Sequence, residues 1–568
     1  MPTLSARRYI VLRRHTTMHC RIVLALLLAG GLAGCTTPRP TGPVAVKVLA
    51  INDFHGNLKP PQGGIRIRDP QDAAKTVNVA AGGAEHLASA VGELRAQNPN
   101  HIFVAAGDLI GASPLTSALF HDEPTVEALG AMGLEASAVG NHEFDHGSAE
   151  LLRLQRGGCH PLDGCKGPQA FAGARFRWLA ASTIDVRTGQ TLLPAYHVKR
   201  FQGIPVAFIG LTLKDTPQIV VPAGVAGLQF RDEVQTVNAL VPELKRQGIE
   251  AIVVLIHEGG LPTGDYDECP GISGPIVRIV EQLDPAVDLV VSGHTHRAYV
   301  CRIAGRLVTS ADKYGTLVTE IDLVLDPVSG DVREARAHNV IVRNDRFAKD
   351  PVQTQLIEQY ERLAAPLAKR TVGRAFAPLS RDESPAGEMP VGQLVADAQL
   401  AATSGDGAQI ALMNPGGLRA TLVGDANGLV RYEDLFSVQP FYNNLVTITL
   451  TGAQLQRALE QQWLNQPRPR VLQVSRGFSY SWNVAKPPGE RIVPGSLRLN
   501  GAAIEPQQKL RVTINSFLAT GGDNFTVFQR DGQDALTGMM DIDALERFVA
   551  AQGTVAPAAL DRIQRVDR

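Results

Sequence analysis

The apolar and polar positions in the first half of the chain follow two alternating patterns. Short apolar runs bounded by glycine, proline or polar residues predict strands, at 46–51, 102–106, 136–139, 178–182, 206–211, 251–256 and 287–292. Longer segments with an apolar residue every three or four positions predict helices, at 82–97, 125–132, 232–246 and 273–283. Repeated strand–helix units of this kind indicate an α/β fold, in which helices cover both faces of a sheet.

The pattern changes after the last of these strands. Segment 307–342 alternates apolar and polar positions, which predicts a closing meander of strands. Segment 351–369 has helical periodicity without a glycine, which indicates a linker helix within 346–370. We therefore predict a first domain at 45–345 and a second domain of mixed helices and strands at 371–568.

The N-terminal residues predict a targeting segment that is not part of the fold. Several arginines precede an apolar run at 22–32, which is too short for a bilayer that needs about 20 helical residues. The run ends in Leu-Ala-Gly-Cys, which resembles the bacterial lipobox. We therefore predict a signal peptide at 1–34, a lipid on Cys35 and a tether at 35–44, with an ordinary cleaved signal as the alternative.

The residue after the predicted lipidation site indicates a destination. Thr36 stands where an aspartate would signal retention in the inner membrane, so we expect an outer-membrane lipoprotein of the cell envelope that faces the periplasm. The lipid on Cys35 would be its membrane contact, because no other segment is long and apolar enough to cross a bilayer. Met18 is an alternative start to Met1, since a short basic segment also follows it.

Length and charge limit the class of partner. The 568 residues exceed the usual size of a single core, and 55 Lys and Arg against 56 Asp and Glu give a net charge of −1. This balance argues against a nucleic-acid coat or a polybasic membrane surface as the main role. A small anionic ligand needs only local positive charge, so we expect such a ligand and no nucleic-acid partner. We also expect a monomeric protein.

Four of the six cysteines lie beyond the signal region, at 159, 165, 269 and 301. An even number suits disulfides in an oxidising compartment. Cys159 and Cys165 enclose a short loop, so we favour pairing these two and pairing Cys269 with Cys301. A zinc site is the alternative, but none of the spacings is Cys-x-x-Cys.

Five of the predicted strands end in residues that bind metals or move protons. The segments are Asn52-Asp53-Phe54-His55-Gly56, Gly107-Asp108, Gly140-Asn141-His142-Glu143-Phe144-Asp145, His257-Glu258 and Gly293-His294-Thr295-His296. A single Asp or His after a strand is usually a turn or cap residue. In open α/β folds, however, ligands gather at the carboxyl ends of strands, so five such loops together predict one shared site.

These motifs resemble those of the metallophosphoesterase (calcineurin-like) superfamily and, within it, the 5'-nucleotidase family. That family includes periplasmic UDP-sugar hydrolases and 2',3'-cyclic nucleotide phosphodiesterases. The resemblance implies an α/β fold of the α+β sandwich type, with two helix-flanked sheets in the N-terminal domain, a linker helix and a mixed C-terminal domain. It also implies an extracytoplasmic hydrolase in which a metal-activated hydroxide attacks the phosphorus of a nucleotide.

The resemblance assigns roles to the strand-end residues. Two divalent ions, Zn, Mn or Co, are implied, with Asp53, His55 and His296 on one, Asn141, His257 and His294 on the other, and Asp108 on both. His142, oriented by Asp145, would contact the phosphate. For Glu143 we expect a supporting role in the loop.

Three segments of the second half resemble the nucleotide-binding loops of the same family. They are Asn414-Pro415-Gly416-Gly417-Leu418-Arg419, the segment 439–444 and the segment 515–525. The resemblance implies substrate contacts by Asn414, Gly417, Arg419, Phe441, Asn443, Phe517 and Asp523. Glycine permits close approach, arginine meets phosphate, the two phenylalanines stack on the base, and the aspartate binds the ribose.

One phosphate-binding arginine of the family has no matching position in this chain. Arg381, on a longer loop, and Arg431 are the two candidates for it, and we place Arg381 in the substrate site. An alternative to the hydrolase is a nucleotide-binding surface lipoprotein with a vestigial metal site. A vestigial site should have lost ligands, whereas all seven predicted ligand positions are occupied here.

Overall fold

The computed structural model describes residues 40–567. The predicted signal peptide, the lipidation site Cys35 and most of the predicted tether lie outside the described residues. Within 40–567, no helix combines the length and the apolar character that crossing a bilayer requires.

The first half of the described chain is built on two six-stranded sheets. Its strands are β1 (Val44–Ile51), β2 (Ile65–Arg68), β3 (Thr76–Val79), β4 (His101–Ala105), β5 (Ala136–Ala138), β6 (Arg177–Leu179), β7 (Thr183–Asp185), β8 (Tyr196–Phe201), β9 (Ile204–Thr212), β10 (Leu228–Phe230), β11 (Ala251–His257), β12 (Val287–Ser292), β13 (Ala298–Ile303), β14 (Arg306–Ala311), β15 (Leu317–Leu325) and β16 (Val332–Ile341). One sheet has the order β16-β15-β1-β4-β5-β6 and the other β13-β14-β12-β11-β9-β8, while β2 with β3 and β7 with β10 form small ribbons.

The two sheets pack face to face and carry helices on their outer faces. The helices are α1 (Ala84–Arg95), α2 (Leu115–Ala118), α3 (Glu123–Met132), α4 (Ser148–Arg156), α5 (Thr216–Ile219), α6 (Glu233–Arg246) and α7 (Pro275–Gln282). Val48 of β1 and Val253 of β11 belong to one core between the sheets. The adjacent Leu49 packs with α1 and α3, and Val254 packs with α6 and α7.

The prediction of a single sheet with helices on both faces is therefore wrong, and the two helix-flanked sheets that the family resemblance implied are confirmed. A strand covered by a second sheet has the same continuous apolar pattern as a strand covered by a helix. The predicted meander at 307–342 is also wrong. Strand β14 lies beside β12 in one sheet, whereas β15 and β16 form an antiparallel pair in the other.

Parallel pairing brings the predicted site loops to one end of the sandwich. Ile51 of β1 pairs with Ala105 of β4, which in turn pairs with Ser137 of β5. In the other sheet, Ile256 of β11 pairs with Ser292 of β12. The carboxyl ends of these five strands are thus aligned within each sheet, next to the loops that carry the polar motifs.

The predicted linker helix is present as α8 (Pro351–Ala368). The Asp350 carboxylate caps it by accepting the backbone N–H groups of Val352 and Gln353. Tyr360 donates a hydrogen bond to Glu127 of α3 at 3.0 Å and also belongs to an apolar core of the second half. The helix therefore packs against both halves of the chain.

The second half mixes helices and strands, as predicted. Its strands are β17 (Thr371–Ala375), β18 (Ile410–Met413), β19 (Leu429–Arg431), β20 (Asn444–Thr451), β21 (Gln473–Val474), β22 (Phe478–Asn483), β23 (Arg498–Leu499), β24 (Ala502–Ala503), β25 (Lys509–Asn515), β26 (Gln533–Met540), β27 (Thr554–Val555) and β28 (Ile563–Val566). Its helices are α9 (Pro390–Thr403), α10 (Tyr432–Val438), α11 (Gly452–Glu460), α12 (Ser516–Ala519), α13 (Thr526–Asp531) and α14 (Asp541–Gln552). The main sheet has the order β21-β18-β25-β20-β26.

The two predicted disulfides are confirmed. Cys159 is bonded to Cys165 and Cys269 to Cys301, with Cα–Cα distances of 4.6 and 5.2 Å. The alternative of a cysteine zinc site is therefore wrong, because a disulfide sulfur no longer offers a thiolate ligand.

Candidate active site

The polar loops at the strand ends converge on one buried cluster. Two groups in the cluster have ligand atoms within 4.8 Å of one another: Asp53, His55 and His296, and Asp108, His257 and His294. His142 meets the same criterion together with His55 and Asp108. The Nε2 atoms of His55 and His296 are 3.1 Å apart. Oδ2 of Asp108 lies 2.9 Å from Nε2 of His257 and 3.7 Å from Nε2 of His55. The Asp108 carboxylate therefore stands between the two groups.

Five of these residues have a left-handed backbone: Asp53 (φ 51°), His55 (φ 47°), Asp108 (φ 50°), His294 (φ 69°) and His296 (φ 52°). Residues other than glycine adopt this conformation rarely, at a cost of about 1–3 kcal/mol each. Such conformations persist where the surrounding structure imposes them, and they are typical of functional sites. The sharp turns direct successive side chains into the cluster rather than along the strands.

Backbone carbonyls determine which nitrogen of two histidines is free. Nδ1 of His55 lies 2.8 Å from the carbonyl oxygen of Gly111, and Nδ1 of His257 lies 2.8 Å from that of Ala106. A carbonyl oxygen can only accept, so Nδ1 donates a hydrogen bond in both rings and Nε2 is the nitrogen that faces the cluster. This is the arrangement that metal-ligating histidines have. Burial lowers the pKa of His257, but the Asp108 carboxylate, 2.9 Å from Nε2, outweighs burial and raises this pKa to about 10.

The charges of the cluster fit divalent cations. Burial lowers the pKa of His294 to about 3 and the pKa of His55 and His296 well below the ordinary value, which keeps these rings neutral. Burial raises the pKa of Asp53 to about 7; the His257 charge opposes this rise and the Asp108 carboxylate adds to it. The Asp53 and Asp108 carboxylates are both buried and repel each other, which is costly without a cation. Neutral imidazole, carboxylate and amide donors suit Zn²⁺, Mn²⁺ or Co²⁺.

The loop after β5 completes the cluster. Oδ1 of Asn141 lies 3.0 Å from Nδ1 of His294. The buried Glu143 carboxylate accepts the backbone N–H groups of Asp108 and Gly140 at 3.0 and 2.6 Å, so Glu143 supports two site loops. A Cβ atom on Gly140 would lie 2.1 Å from Oδ1 of Asp108, so a larger residue would displace that carboxylate.

His142 faces the edge of the cluster. Its Nδ1 lies 2.7 Å from Oδ2 of Asp145, which orients the ring. Burial lowers the pKa of His142, but the carboxylates of Asp145 and Asp108 outweigh burial and raise it. The ring also stacks on Phe441 of the second half, with centroids 5.8 Å apart. The geometry allows His142 to carry a proton next to a bound anion.

A cavity of about 860 Å³ lies between the two halves of the chain. From the first half, its walls include Asp108, Asn141, His142, Asp145, His294 and His296. All the predicted substrate-binding residues line it from the second half: Arg381, Asn414, Gly417, Arg419, Phe441, Asn443, Phe517 and Asp523. The fold thus brings the two sets of predicted residues to one space, while Asp53, His55 and His257 are fully buried.

Asp523 is held in place by neighbouring side chains. Its Oδ2 accepts a hydrogen bond from Nδ2 of Asn414 at 3.0 Å, and its Oδ1 pairs with the guanidinium of Arg470. Oδ1 of Asn414 accepts in turn from Nδ2 of Asn515 at 2.9 Å. The carboxylate is therefore fixed at the cavity wall by a polar network.

The cavity wall contains more arginines than the sequence predicted. Nε of Arg381 and both Nε and Nη2 of Arg419 are buried without a hydrogen-bond partner among the described residues. Arg468 and Arg470 also line the cavity, and sequence reasoning missed them. The alternating Pro-Arg-Pro-Arg at 467–470 was the available signal, because it predicts an extended loop that presents both arginines. Arg431, the alternative to Arg381, pairs instead with Asp425 at 3.1 Å.

Comparisons with known proteins agree with this arrangement. Residues 46–298 match the family model of the calcineurin-like phosphoesterases, and residues 367–530 match that of the 5'-nucleotidase C-terminal domain. The chain is 32% identical over 515 residues to Endonuclease YhcR of Bacillus subtilis (strain 168), covering 90% of this chain but only 40% of that protein. It is 31% identical over 559 residues to the cell wall protein Lmo0130 of Listeria monocytogenes, covering 90% of this chain and 68% of the relative.

A solved structure has the same fold. The 5'-nucleotidase precursor from Thermus thermophilus superposes with a TM-score of 0.76 at 24% identity, over 92% of this chain and all of that one. At this identity the likeness shows the fold alone. The family is established by the two family models and by the Listeria relative, which is similar over most of its length. The chain belongs to the 5'-nucleotidase family of the metallophosphoesterase superfamily.

Proposed function

We propose that the protein is a phosphoric ester hydrolase of the 5'-nucleotidase type, which uses two divalent metal ions to release phosphate from nucleotides. One observation supports this most strongly. The His and Asp cluster and the predicted nucleotide-binding residues, which come from different halves of the chain, open onto the same cavity. A nucleotide whose base is held by the second half would present its phosphate to the cluster in the first half.

The ligand assignment follows the two groups of the cluster. Asp53, His55 and His296 would hold one ion, Asn141, His257 and His294 the other, and Asp108 would contact both. When bound, such ions supply Lewis acidity and lower the pKa of bound water to near neutrality. The chain contributes the fixed turns, the neutral imidazoles and the buried carboxylates that keep the donors in place before any ion arrives.

His142 and Asp145 would act on the phosphate itself. Asp145 accepts a hydrogen bond from the Nδ1–H group of His142. Nε2 of the same ring is then free to donate to a phosphate oxygen as negative charge develops there. The raised pKa of His142 supports this role, because a protonated ring is needed at the moment of charge development.

The second half would bind the rest of the nucleotide. Arg419 and Arg381 have buried N–H groups that are free to meet phosphate oxygens. Phe441 and Phe517 would stack on the base, where each stacked face contributes about 1–3 kcal/mol. The fixed carboxylate of Asp523 would accept from the ribose hydroxyls.

We also propose that the protein acts as a monomer in the cell envelope, attached to the outer membrane through a lipid on Cys35 and facing the periplasm. The Leu-Ala-Gly-Cys motif supports this location, and so do two disulfides, which persist in oxidising compartments. The Listeria relative is named as a cell wall protein, which agrees with an envelope location.

A phosphate-release assay tests the proposed activity. Purified protein is incubated with nucleoside monophosphates and diphosphates, UDP-glucose and 2',3'-cyclic nucleotides, each with Mn²⁺, Co²⁺, Zn²⁺ or Mg²⁺. We expect metal-dependent phosphate release from at least one nucleotide class, and loss of release in Asp108→Ala and Asn141→Ala with an unchanged circular dichroism spectrum. Retained activity in either variant would contradict the site.

Two further arms separate the alternatives. Nucleotide binding without phosphate release under any of these metals would favour the vestigial-site alternative. Single-stranded DNA and RNA are included because one relative carries the name of an endonuclease. We expect no cleavage of either, given the near-neutral net charge of −1.

A further inference from the structure

A second group of metal-binding side chains lies outside the cavity. His121 follows α2, Glu150 lies in the first turn of α4, and His160 lies in the loop closed by the disulfide between Cys159 and Cys165. The ligand atoms of the two histidines and the glutamate are within 4.8 Å of one another. These residues do not line the cavity and have no part in the proposed hydrolysis.

The two imidazoles are in direct contact. Their rings stack with centroids 3.9 Å apart and an interplanar angle of 10°. Two imidazolium ions would repel at this distance, so the arrangement favours neutral rings that keep lone pairs. A neutral imidazole is the form that binds a metal ion.

Nε2 of His121 is a buried atom with an unmet bonding requirement. It has no hydrogen-bond partner of acceptable geometry among residues 40–567, although Oδ2 of Asp163 lies 3.0 Å away. His121 is held in a left-handed conformation with φ 55°. A buried nitrogen whose position is fixed and which has no hydrogen-bond partner of good geometry is suited to bind a metal ion.

The Glu150 carboxylate is oriented by Arg153. Nε and Nη2 of Arg153 donate to the two carboxylate oxygens at 2.8 and 2.7 Å. Each oxygen keeps a further lone pair, since an ionised carboxylate has about four acceptor sites. An outer partner that fixes the orientation of a ligating carboxylate is typical of metal sites.

We propose that His121, Glu150 and His160 bind one further divalent ion, Zn²⁺ or another ion of similar ligand preference, with Asp163 as an additional donor. Two imidazoles with one or two carboxylates form a donor set that suits Zn²⁺. The lone pairs of two stacked rings point in parallel directions and cannot both be directed at one ion. Binding therefore requires one imidazole to rotate about its Cβ–Cγ bond. It also requires the Asp163 carboxylate to exchange its 2.7 Å contact with Lys166 for the ion. If His160 binds through Nδ1, this atom must release the backbone N–H of Asp163, which it accepts at 3.2 Å.

The position of this site gives the ion a structural role. His160 and Asp163 belong to the disulfide loop, whereas His121 follows Phe120, whose ring packs against Tyr360 of the linker helix α8 with centroids 4.9 Å apart. A bound ion would connect the disulfide loop 159–165 to α4 and to the segment 120–121, which contacts α8 through Phe120. It would therefore stabilise the region next to the linker helix without touching substrate.

Metal content and thermal unfolding of the full chain test the proposal. Wild type, His121→Ala and His160→Ala are equilibrated with Zn²⁺, freed of excess ion by gel filtration, and analysed by atomic emission. We expect each variant to hold one Zn²⁺ fewer per chain than wild type and to lose part of the Zn²⁺-induced rise in Tm. His338→Ala, an exposed histidine in β16, is the matched control and should equal wild type.

The readout is a difference between variants, so it does not depend on how many ions the active site holds or whether the protein hydrolyses nucleotides. Equal zinc content and equal Zn²⁺ dependence of Tm in wild type and both histidine variants would overturn the proposal. If one alanine variant does not fold, Glu150→Gln supplies the second test. The amide can still accept from Arg153, and reduced zinc affinity in this variant is the expected result.

Discussion

Nε2 of His55 faces Nε2 of His296 across 3.1 Å, although the two residues are 241 positions apart in the sequence. Nδ1 of His55 already donates to a backbone carbonyl, so its Nε2 has a lone pair directed at the partner ring. Replacing His55 with alanine should remove one bound metal ion per chain. We expect the rate of hydrolysis to fall by more than about 100-fold. Removing only a side chain that hydrogen-bonds a metal ligand already lowers metal affinity or activity by up to about 100-fold, and His55 is proposed to be a ligand itself. Atomic emission and phosphate release are the measurements, with His338→Ala as the control.

His142→Ala should lower kcat by about 10²–10⁴-fold, the usual contribution of a positioned proton donor. Metal content should be unchanged, because in the proposed assignment the ring contacts phosphate rather than an ion. Asp145→Asn should show a smaller loss, since the amide can still accept the Nδ1 proton that orients the ring. A loss of bound metal in His142→Ala would show instead that this ring is a ligand.

A methyl group at Gly140 should disturb the metal centre while one at Gly92 should not. A Cβ on Gly140 would lie 2.1 Å from Oδ1 of Asp108, whereas a Cβ on Gly92, in α1, would meet nothing within 4 Å. We expect Gly140→Ala to lose metal affinity and activity. Gly92→Ala should keep both and gain up to about 1 kcal/mol of stability from its helix propensity. Equal activity in the two variants would contradict the steric argument.

Phe517→Ala should weaken nucleotide binding without affecting phosphate chemistry. Loss of one stacked face costs about 1–3 kcal/mol, which should appear as a raised KM for nucleotides. The KM for a phosphate ester without an aromatic group, such as glycerol phosphate, should not change. Phe376→Ala is the control, because this ring is 83% exposed and does not line the cavity. Equal increases in KM for both kinds of ester would argue against base stacking.

Stability should fall as pH rises because of Asp288 in β12. Burial raises the pKa of Asp288 to about 8, and the neighbouring Asp331 adds to the rise. The folded-state pKa thus exceeds the unfolded value of about 4. The stability that the protonated group contributes is fully present below pH about 4 and is lost as pH rises through about 8. Asp288→Asn removes this titration and keeps an acceptor for the Ile252 N–H.

Urea unfolding of wild type and Asp288→Asn between pH 5 and pH 9 measures the effect. We expect the free energy of unfolding of the variant to exceed that of wild type by a margin that grows with pH. Parallel pH profiles would show that Asp288 titrates normally in the folded protein.

The sequence by itself determined which chemistry stands at the strand ends. Asp53, Asp108, Asn141, His257 and His294 follow apolar runs whose pattern is local, and local patterns can be read directly from neighbouring residues. The linker helix and the disulfide between Cys159 and Cys165 were predictable for the same reason, since helical periodicity and a loop closed over six positions are local features. The pairing of Cys269 with Cys301, which are 32 positions apart, followed because these two cysteines remained.

Only the tertiary structure decided how the strands are covered and which side chains meet. An apolar run indicates burial on both faces of a strand, but not whether a helix or a second sheet provides it. The pattern alone therefore predicted one sheet where two pack together, and only the family resemblance implied the second sheet. The segment 306–341 divides between these sheets, which its alternating pattern could not reveal. The pairing of Arg470 with Asp523 depends on how loops of the second half close over the cavity. Contacts between residues far apart in sequence are set by the packing of whole elements, which no local pattern encodes.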